Sequence, residues 1–202
     1  MDLHLTHRHV LITGGSKGIG LACAENFLQE GARVTLVSRD PANLAKAVQK
    51  LTAHFPATSL HTIAADLQIA SKGEEVLNNA ENHFGPVDIL VNSAGAAKRT
   101  PPEELNPEAW HAAMQAKYFS YIHMLDPTIK RMGQRGSGAV VNIIGAGGKV
   151  AGHHPYARWR SQCSIDACQR GYGIGLCRER RARQRRQSRT HADRQTSRRH
   201  GR

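Results

Sequence analysis

Thr13-Gly14-Gly15-Ser16-Lys17-Gly18-Ile19-Gly20 lies between a short apolar run and a stretch of helical character, and no other feature narrows the fold of this chain as much. The run ahead of it, His9-Val10-Leu11-Ile12, reads as a buried strand. The stretch behind it, Leu21 to Glu30, reads as a helix closed by Gly31. Glycines allow the backbone a tight turn and a close approach to a bound group. A helix that starts directly after them presents unpaired N–H groups to an anion. Strand, glycine turn and helix in this order form a seat for the pyrophosphate of a dinucleotide.

The same alternation continues along the chain. Arg33 to Ser38 is predicted as a second strand, and Pro41 to Phe55 as an amphipathic helix with Leu44, Val48 and Leu51 at helical spacing. Leu60 to Ala64 is a third strand, ending just before Asp66, and Ser71 to Phe84 is a helix stopped by Gly85-Pro86. Val87 to Val91 is a fourth strand, followed by Asn92-Ser93-Ala94-Gly95. Asn106 and Pro107 open a long helix as cap and first residue, and Pro127 is expected to kink or interrupt it. Ala139 to Ile144 is a fifth strand. Apolar strands separated by helices mean a parallel sheet covered on both faces, which binds its ligands at the carboxyl ends of the strands. Every glycine-rich or polar cluster above falls at such an end.

The chain's 202 residues suffice for one domain with a real core. Met1 to His9 is polar and short, and no apolar run is long enough to span a membrane, so a cytoplasmic protein is expected. The net charge of +12 is unevenly placed. Residues 1–156 hold 14 Lys and Arg against 13 Asp and Glu, whereas residues 157–202 hold 14 Arg, no Lys and three acids. Cys23 stands alone on a helix, as a small buried residue would. Cys163, Cys168 and Cys177 follow no zinc spacing, and no metal site is expected.

With these elements in place, the sequence resembles the short-chain dehydrogenase/reductase family. The family's Thr-Gly-x3-Gly-x-Gly motif is met by Thr13, Gly14, Gly18 and Gly20, and its Asn-x-Ala-Gly motif by Asn92, Ala94 and Gly95. Its aspartate after the third strand is met by Asp66, beside Leu67. The resemblance implies an α/β fold, a Rossmann-type doubly wound parallel sheet of order 3-2-1-4-5, in an oxidoreductase acting on a small carbonyl or alcohol. It also implies an adenine contact at Asp66 and Leu67, and a homo-oligomer through the long helix. Ser16, Lys17 and Ile19 complete the glycine loop. An acid at the end of the second strand would select NAD(H). Ser38 and Arg39 stand there instead, with Lys17 on the same side, so NADP(H) is expected over NAD(H).

In that family a tyrosine transfers the proton, a lysine four residues later lowers its pKa, a serine orients the substrate and an asparagine on the long helix supports a water relay. This chain departs at each place. Lys117 occupies the asparagine's position, where it either supplies a cation or snorkels to the surface. The serine's position falls in Ile144-Gly145-Ala146-Gly147-Gly148, which has no hydroxyl. Tyr156 is the candidate acid, and four residues on stands Arg160 rather than lysine. Tyr156, Lys117 and Arg160 are therefore the candidates for proton transfer.

From Ala157 onward hydrophobic periodicity disappears, and residues 1–156 are expected to form the NADP(H)-binding domain, with 157–202 an irregular, disordered tail. A tail of arginine without lysine argues against an evolved nucleic-acid arm. Back-translation of Arg158 to Asp166, shifted by one base, permits GGAANAAL, and of Glu179 to His191 permits SGVRVNAVNPGLT, which resembles the family's sixth strand and its Pro-Gly turn. A frameshift near residue 157 accounts for both strings.

Overall fold

A computed structural model describes residues 3–95 and 101–144 of the chain. Five strands follow the predicted runs: β1 His9–Thr13, β2 Arg33–Ser38, β3 Leu60–Ala64, β4 Ile89–Asn92 and β5 Ala139–Asn142. They are parallel throughout and ordered β3-β2-β1-β4-β5, as expected of a Rossmann-type sheet. In register, Thr13 lies beside Val37 on one side and Asn92 on the other, so the chain leaves the sheet at one common edge.

Successive residues of a strand face opposite sides, and both sides are covered. Val10, Ile12, Val34 and Leu36 pack with Ala24 and Leu28 of α1 (Gly18–Gln29) and with Leu44, Ala47 and Leu51 of α2 (Pro41–Thr52). Leu11, Val37 and Leu90 pack on the other face against Val76, Leu77 and Ala80 of α3 (Ala70–Phe84) and against Met124, Leu125 and Met132 of the long helix. Every position of β1 is buried, which is why it reads as an unbroken apolar run.

The helix caps follow from local chemistry. Asp40 accepts the Ala42 and Asn43 amides at 2.9 and 3.4 Å and is followed by Pro41. Asn106 accepts the Ala109 amide at 2.8 Å and is followed by Pro107. The long helix begins as α4 (Pro107–Met114), passes through a π-helical turn at Gln115–Phe119 and continues as α5 (Ser120–Arg135).

Three expectations need correction. The second helix ends at Thr52 and gives way to a 3₁₀ turn at Ala57–Ser59, and β5 is two residues shorter than predicted. Pro127 does not interrupt the long helix, which is irregular at Gln115–Phe119 instead. Proline has no N–H to give the carbonyl four residues earlier, that of His123. Gly73 of α3 lies against this carbonyl, so close that an added Cβ would stand 1.9 Å from the oxygen. The helix is continuous through the proline, and α3 packs on the carbonyl that the proline leaves without its N–H. Gly145 to Gly148, Tyr156, Arg160 and the arginine-rich segment lie outside the described residues.

Candidate functional site

The glycine loop is shaped by two close approaches, at Gly14 and Gly20, and by a positive φ at Gly18. Gly14 has a φ of +65°, and a Cβ there would meet the Ala94 backbone at 2.9 Å. A Cβ on Gly20 would stand 2.3 Å from the Gly14 carbonyl, so only glycine lets α1 start against the loop. Gly18 opens α1 at a φ of +57°. Lys17, the helix cap, makes no side-chain capping bond, and no acid stands in the first turn of α1. That helix end is therefore arranged to favour an anion.

Around the loop lies a cleft of about 680 Å³ at the carboxyl ends of the strands. Gly14, Ser16, Lys17 and Ile19 line it from the loop, Ser38 and Arg39 from the end of β2, and Asp66 and Leu67 from beyond β3. Ala94 and Gly95 line it from beyond β4, and Lys117 from the π turn. Of the residues expected at the cofactor, only Gly18, Gly20 and Asn92 are not in the wall. The two glycines shape the loop, and Asn92 is buried within the sheet. Thr13 Oγ1 donates to Asn92 Oδ1 at 3.4 Å and accepts the Ser93 and Ala94 amides at 3.1 Å each. Asn92 Nδ2 donates to Asn142 Oδ1 at 3.0 Å. This chain of bonds ties β1, β4 and β5 together beneath the cleft.

At the end of β2, Ser16 Oγ donates to Ser38 Oγ at 3.0 Å, and Arg39 is exposed. The nearest acid, Asp40, has both carboxylate oxygens on the backbone and side chain of its own helix start. Asp66 Oδ1 accepts the Gln68 amide at 3.0 Å, which rigidifies the loop after β3. Gln115 donates to the Gln68 carbonyl and His123 Nδ1 to the Leu67 carbonyl at 2.8 Å, so the long helix also holds this loop.

At the opposite end, Lys117 points inward rather than to the surface. Its Nζ donates to Tyr121 OH at 2.5 Å, to the Ala94 carbonyl at 3.2 Å and to the Ile143 carbonyl at 3.4 Å. Tyr121 OH donates to the Ile143 carbonyl at 2.9 Å. Burial pushes the Tyr121 phenol far above its ordinary pKa, so it stays protonated. Ser120 Oγ donates toward the Ala116 and Lys117 carbonyls at 3.2 and 3.0 Å, groups that the π turn draws away from regular pairing. Gly95, at a φ of +114°, lets its strand end pack on Ala116 and the Lys117 stem.

Sequence reasoning did not single out Val37, Ala65, Gln68, Ser93, Ala116, Ser120, Ile143 or Ile144 as cleft residues. Most are small or apolar and serve through their place in the fold. Tyr121 belongs with them, a helix residue whose part in the site comes from its contacts with Lys117 and Ile143. Among the described residues, no group of three His, Cys, Asp or Glu side chains is placed to hold a metal ion. No helix among them is long and apolar enough to cross a membrane.

A parallel doubly wound sheet with a glycine cradle at its carboxyl edge defines an α/β dinucleotide-binding protein. More narrowly, the chain belongs to the short chain dehydrogenase family, whose sequence model matches residues 8–158. An uncharacterized oxidoreductase of Staphylococcus epidermidis is 30% identical over 138 residues, 68% of this chain and 58% of that protein. D-threitol dehydrogenase of Mycolicibacterium smegmatis is 31% identical over 152 residues, 74% of this chain and 57% of that protein. The chain thus matches a little over half the length of these curated relatives. Among solved structures, the NADPH-bound short chain oxidoreductase of Pseudomonas aeruginosa PAO1, which contains an atypical catalytic center, superposes with a TM-score of 0.80 at 28% identity, covering 86% of this chain and 67% of that one. L-sorbose reductase of Gluconobacter frateurii, complexed with NADPH and L-sorbose, gives 0.81 at 25% identity, covering 88% and 67%.

Proposed function

We propose that the cleft binds NADP(H), and that the chain derives from an oxidoreductase moving a hydride between this cofactor and a small carbonyl or alcohol. The observation that carries the choice of cofactor is the end of β2. Ser38 and Arg39 stand where an acid would select NAD(H), Lys17 lines the same cleft, and Asp40 is committed to capping α2. The NADPH bound in the Pseudomonas and Gluconobacter neighbours supports the same choice. The residues fit the group: the glycine cradle would be filled by any side chain at Gly14 or Gly20, and the first turn of α1 carries no acid. Ser16, Lys17 and the α1 N-terminus would hold phosphate, Arg39 and Ser38 the 2′-phosphate, and Asp66 and Leu67 the adenine. Bound NADPH supplies the hydride.

Proton transfer in this reading falls to Tyr156, with Arg160 and Lys117 as the candidate cations. A second reading, a protein that binds NADP(H) without turnover, is favoured by Gly145 to Gly148 and by Arg160, which stand where the family has serine and lysine. Fluorescence titration tests the cofactor: NADPH binds more tightly than NADH, and Arg39→Ala weakens NADPH by about tenfold while leaving NADH little changed. Equal affinities, or none for either, overturn the reading. Oxidation of NADPH driven by a panel of small aldehydes and ketones separates turnover from binding alone.

The same reading covers residues 157–202 as a segment out of the family's frame. The family match stops at residue 158, beside the change in composition. Nucleotide sequencing across codon 157 is expected to show a one-base shift against the relatives' genes.

A further inference from the structure

We infer that Gln115 and His123, which the π turn brings to one face of the long helix, position the adenosine half of the dinucleotide by holding the loop after β3 in place. The inference rests on the cleft being the NADP(H) site, with Asp66 and Leu67 at the adenine. Within the loop, Asp66 Oδ1 accepts the Gln68 amide at 3.0 Å and the Asp66 carbonyl accepts the Ile69 amide at 3.1 Å. These bonds set the loop's shape. Its place on the cleft wall is set from outside. The Ala65 amide donates to the Ser38 carbonyl at 3.0 Å, where β3 leaves the sheet. Beyond that point the long helix takes over. Gln115 Nε2 donates to the Gln68 carbonyl, and His123 Nδ1 donates to the Leu67 carbonyl at 2.8 Å. Phe119, one turn earlier, stacks on the His123 ring with centroids 6.0 Å apart.

The irregularity of the helix explains how one face reaches two consecutive carbonyls. Gln115 and His123 stand eight residues apart. On a regular α-helix that spacing turns two side chains about 80° away from each other. A π turn takes up about one extra residue, which returns such a pair to within about 20° of one line. The π turn at Gln115–Phe119 falls within this span. Asp66, Leu67 and Gln68 line the cleft, whereas Gln115 and His123 do not. The two side chains therefore act on the cofactor through the loop, as positioning residues.

A loop held before the ligand arrives does not have to be ordered at the moment of binding. Removing either donor leaves a loop carbonyl without its partner and returns that ordering cost to the binding step. The loss falls on every ligand that carries the adenosine half, whatever stands at its nicotinamide end and whether or not it has a 2′-phosphate. That pattern separates these two residues from Arg39, which concerns the 2′-phosphate alone.

The test is calorimetric titration of the full chain with NADPH, with NADH and with 2′,5′-ADP, which is the adenosine half alone. Gln115→Met and His123→Leu each remove one donor, and each should weaken all three ligands by about fivefold. The two together should weaken them by about twentyfold. His123→Asn offers an amide N–H where Nδ1 stands, and should restore affinity to within about twofold of the unsubstituted protein. Arg39→Ala, as the contrast, should weaken NADPH and 2′,5′-ADP and leave NADH little changed. Affinity for 2′,5′-ADP unchanged in Gln115→Met and His123→Leu overturns the inference and leaves the cofactor reading intact. So does a His123→Asn no better than His123→Leu. If thermal melting shows that neither Gln115→Met nor His123→Leu folds, the two bonds serve the fold rather than the cofactor, and the inference is overturned. Failure of all three ligands to bind the unsubstituted protein overturns the cofactor reading, and this inference with it.

Discussion

At the scale of single residues, glycines and one histidine make the sharpest demands. A methyl on Gly20 would stand 2.3 Å from the Gly14 carbonyl, a backbone atom that cannot rotate away. Gly20→Ala is expected to lower stability by about 1–3 kcal/mol and to abolish NADPH binding, read by thermal melting and fluorescence titration together. His9 is fully buried at the start of β1. Its Nδ1 meets the Gly85 carbonyl at 2.7 Å, and since a carbonyl only accepts, that nitrogen bears the proton. Nε2, at 2.9 Å from Thr35 Oγ1, is then the acceptor. Burial holds the imidazole pKa below its ordinary 6.5, against the opposing pull of the Gly85 carbonyl. The unfolded chain therefore takes up a proton at a higher pH than the folded one. The contribution of neutral His9 to stability is whole above about pH 6.5 and is lost as pH falls below it. Urea midpoints should drop between about pH 7.5 and about pH 5.5, and His9→Gln should flatten that slope. The sequence shows the glycines through their spacing. It places His9 in a buried strand but does not show its partners, because Thr35 and Gly85 are distant in the chain.

At the scale of elements, the long helix carries the information that the sequence withheld. Its start was legible in Asn106 and Pro107, since capping is a matter of adjacent residues. Its irregular turn was not. A π turn arises where side chains and neighbouring strands draw carbonyls out of register, and here these are Ser120, Gly95 and the Lys117–Tyr121 pair. Pro127 was the local signal for a break, yet α5 runs through it, and Gly73 lets α3 sit on the His123 carbonyl that the proline leaves without an N–H. Gly73→Ala would place a Cβ 1.9 Å from that oxygen and force the two helices apart. A loss of about 3 kcal/mol or more in chemical denaturation is expected, with Arg131 and Glu81, which pair across the same helices, losing their contact as well.

At the scale of the whole molecule, the described residues form one sheet between two apolar layers, with a cleft at its carboxyl edge assembled from six separate segments. β5 lies at the sheet edge with Val141 47% exposed, and the family's chemistry calls for residues beyond it. Tyr156→Phe should therefore leave NADPH binding within about twofold and reduce any carbonyl-dependent NADPH oxidation by about a hundredfold or more, the share a positioned acid contributes. A rate that survives the substitution removes Tyr156 as the acid. On the proposed reading of residues 157–202, a chain carrying the family's frame after residue 157 should show higher turnover at unchanged affinity for NADPH, measured side by side on the two chains.

The strand order was implied by the family resemblance, whereas the alternation of strands and helices, the glycine loop and the cation after β2 were determined by the sequence alone. Each depends on residues close together in the chain: an apolar run next to a turn, a turn next to a helix, a cation next to a strand end. What only the tertiary structure decided depends on residues far apart. Asn92 turned out to be a brace within the sheet, and Lys117 an inward-facing cation on the ends of β4 and β5. A side chain's direction is set by the groups that surround it, and for Lys117 those come from Ala94, Tyr121 and Ile143, which only the folded sheet and the π turn bring together.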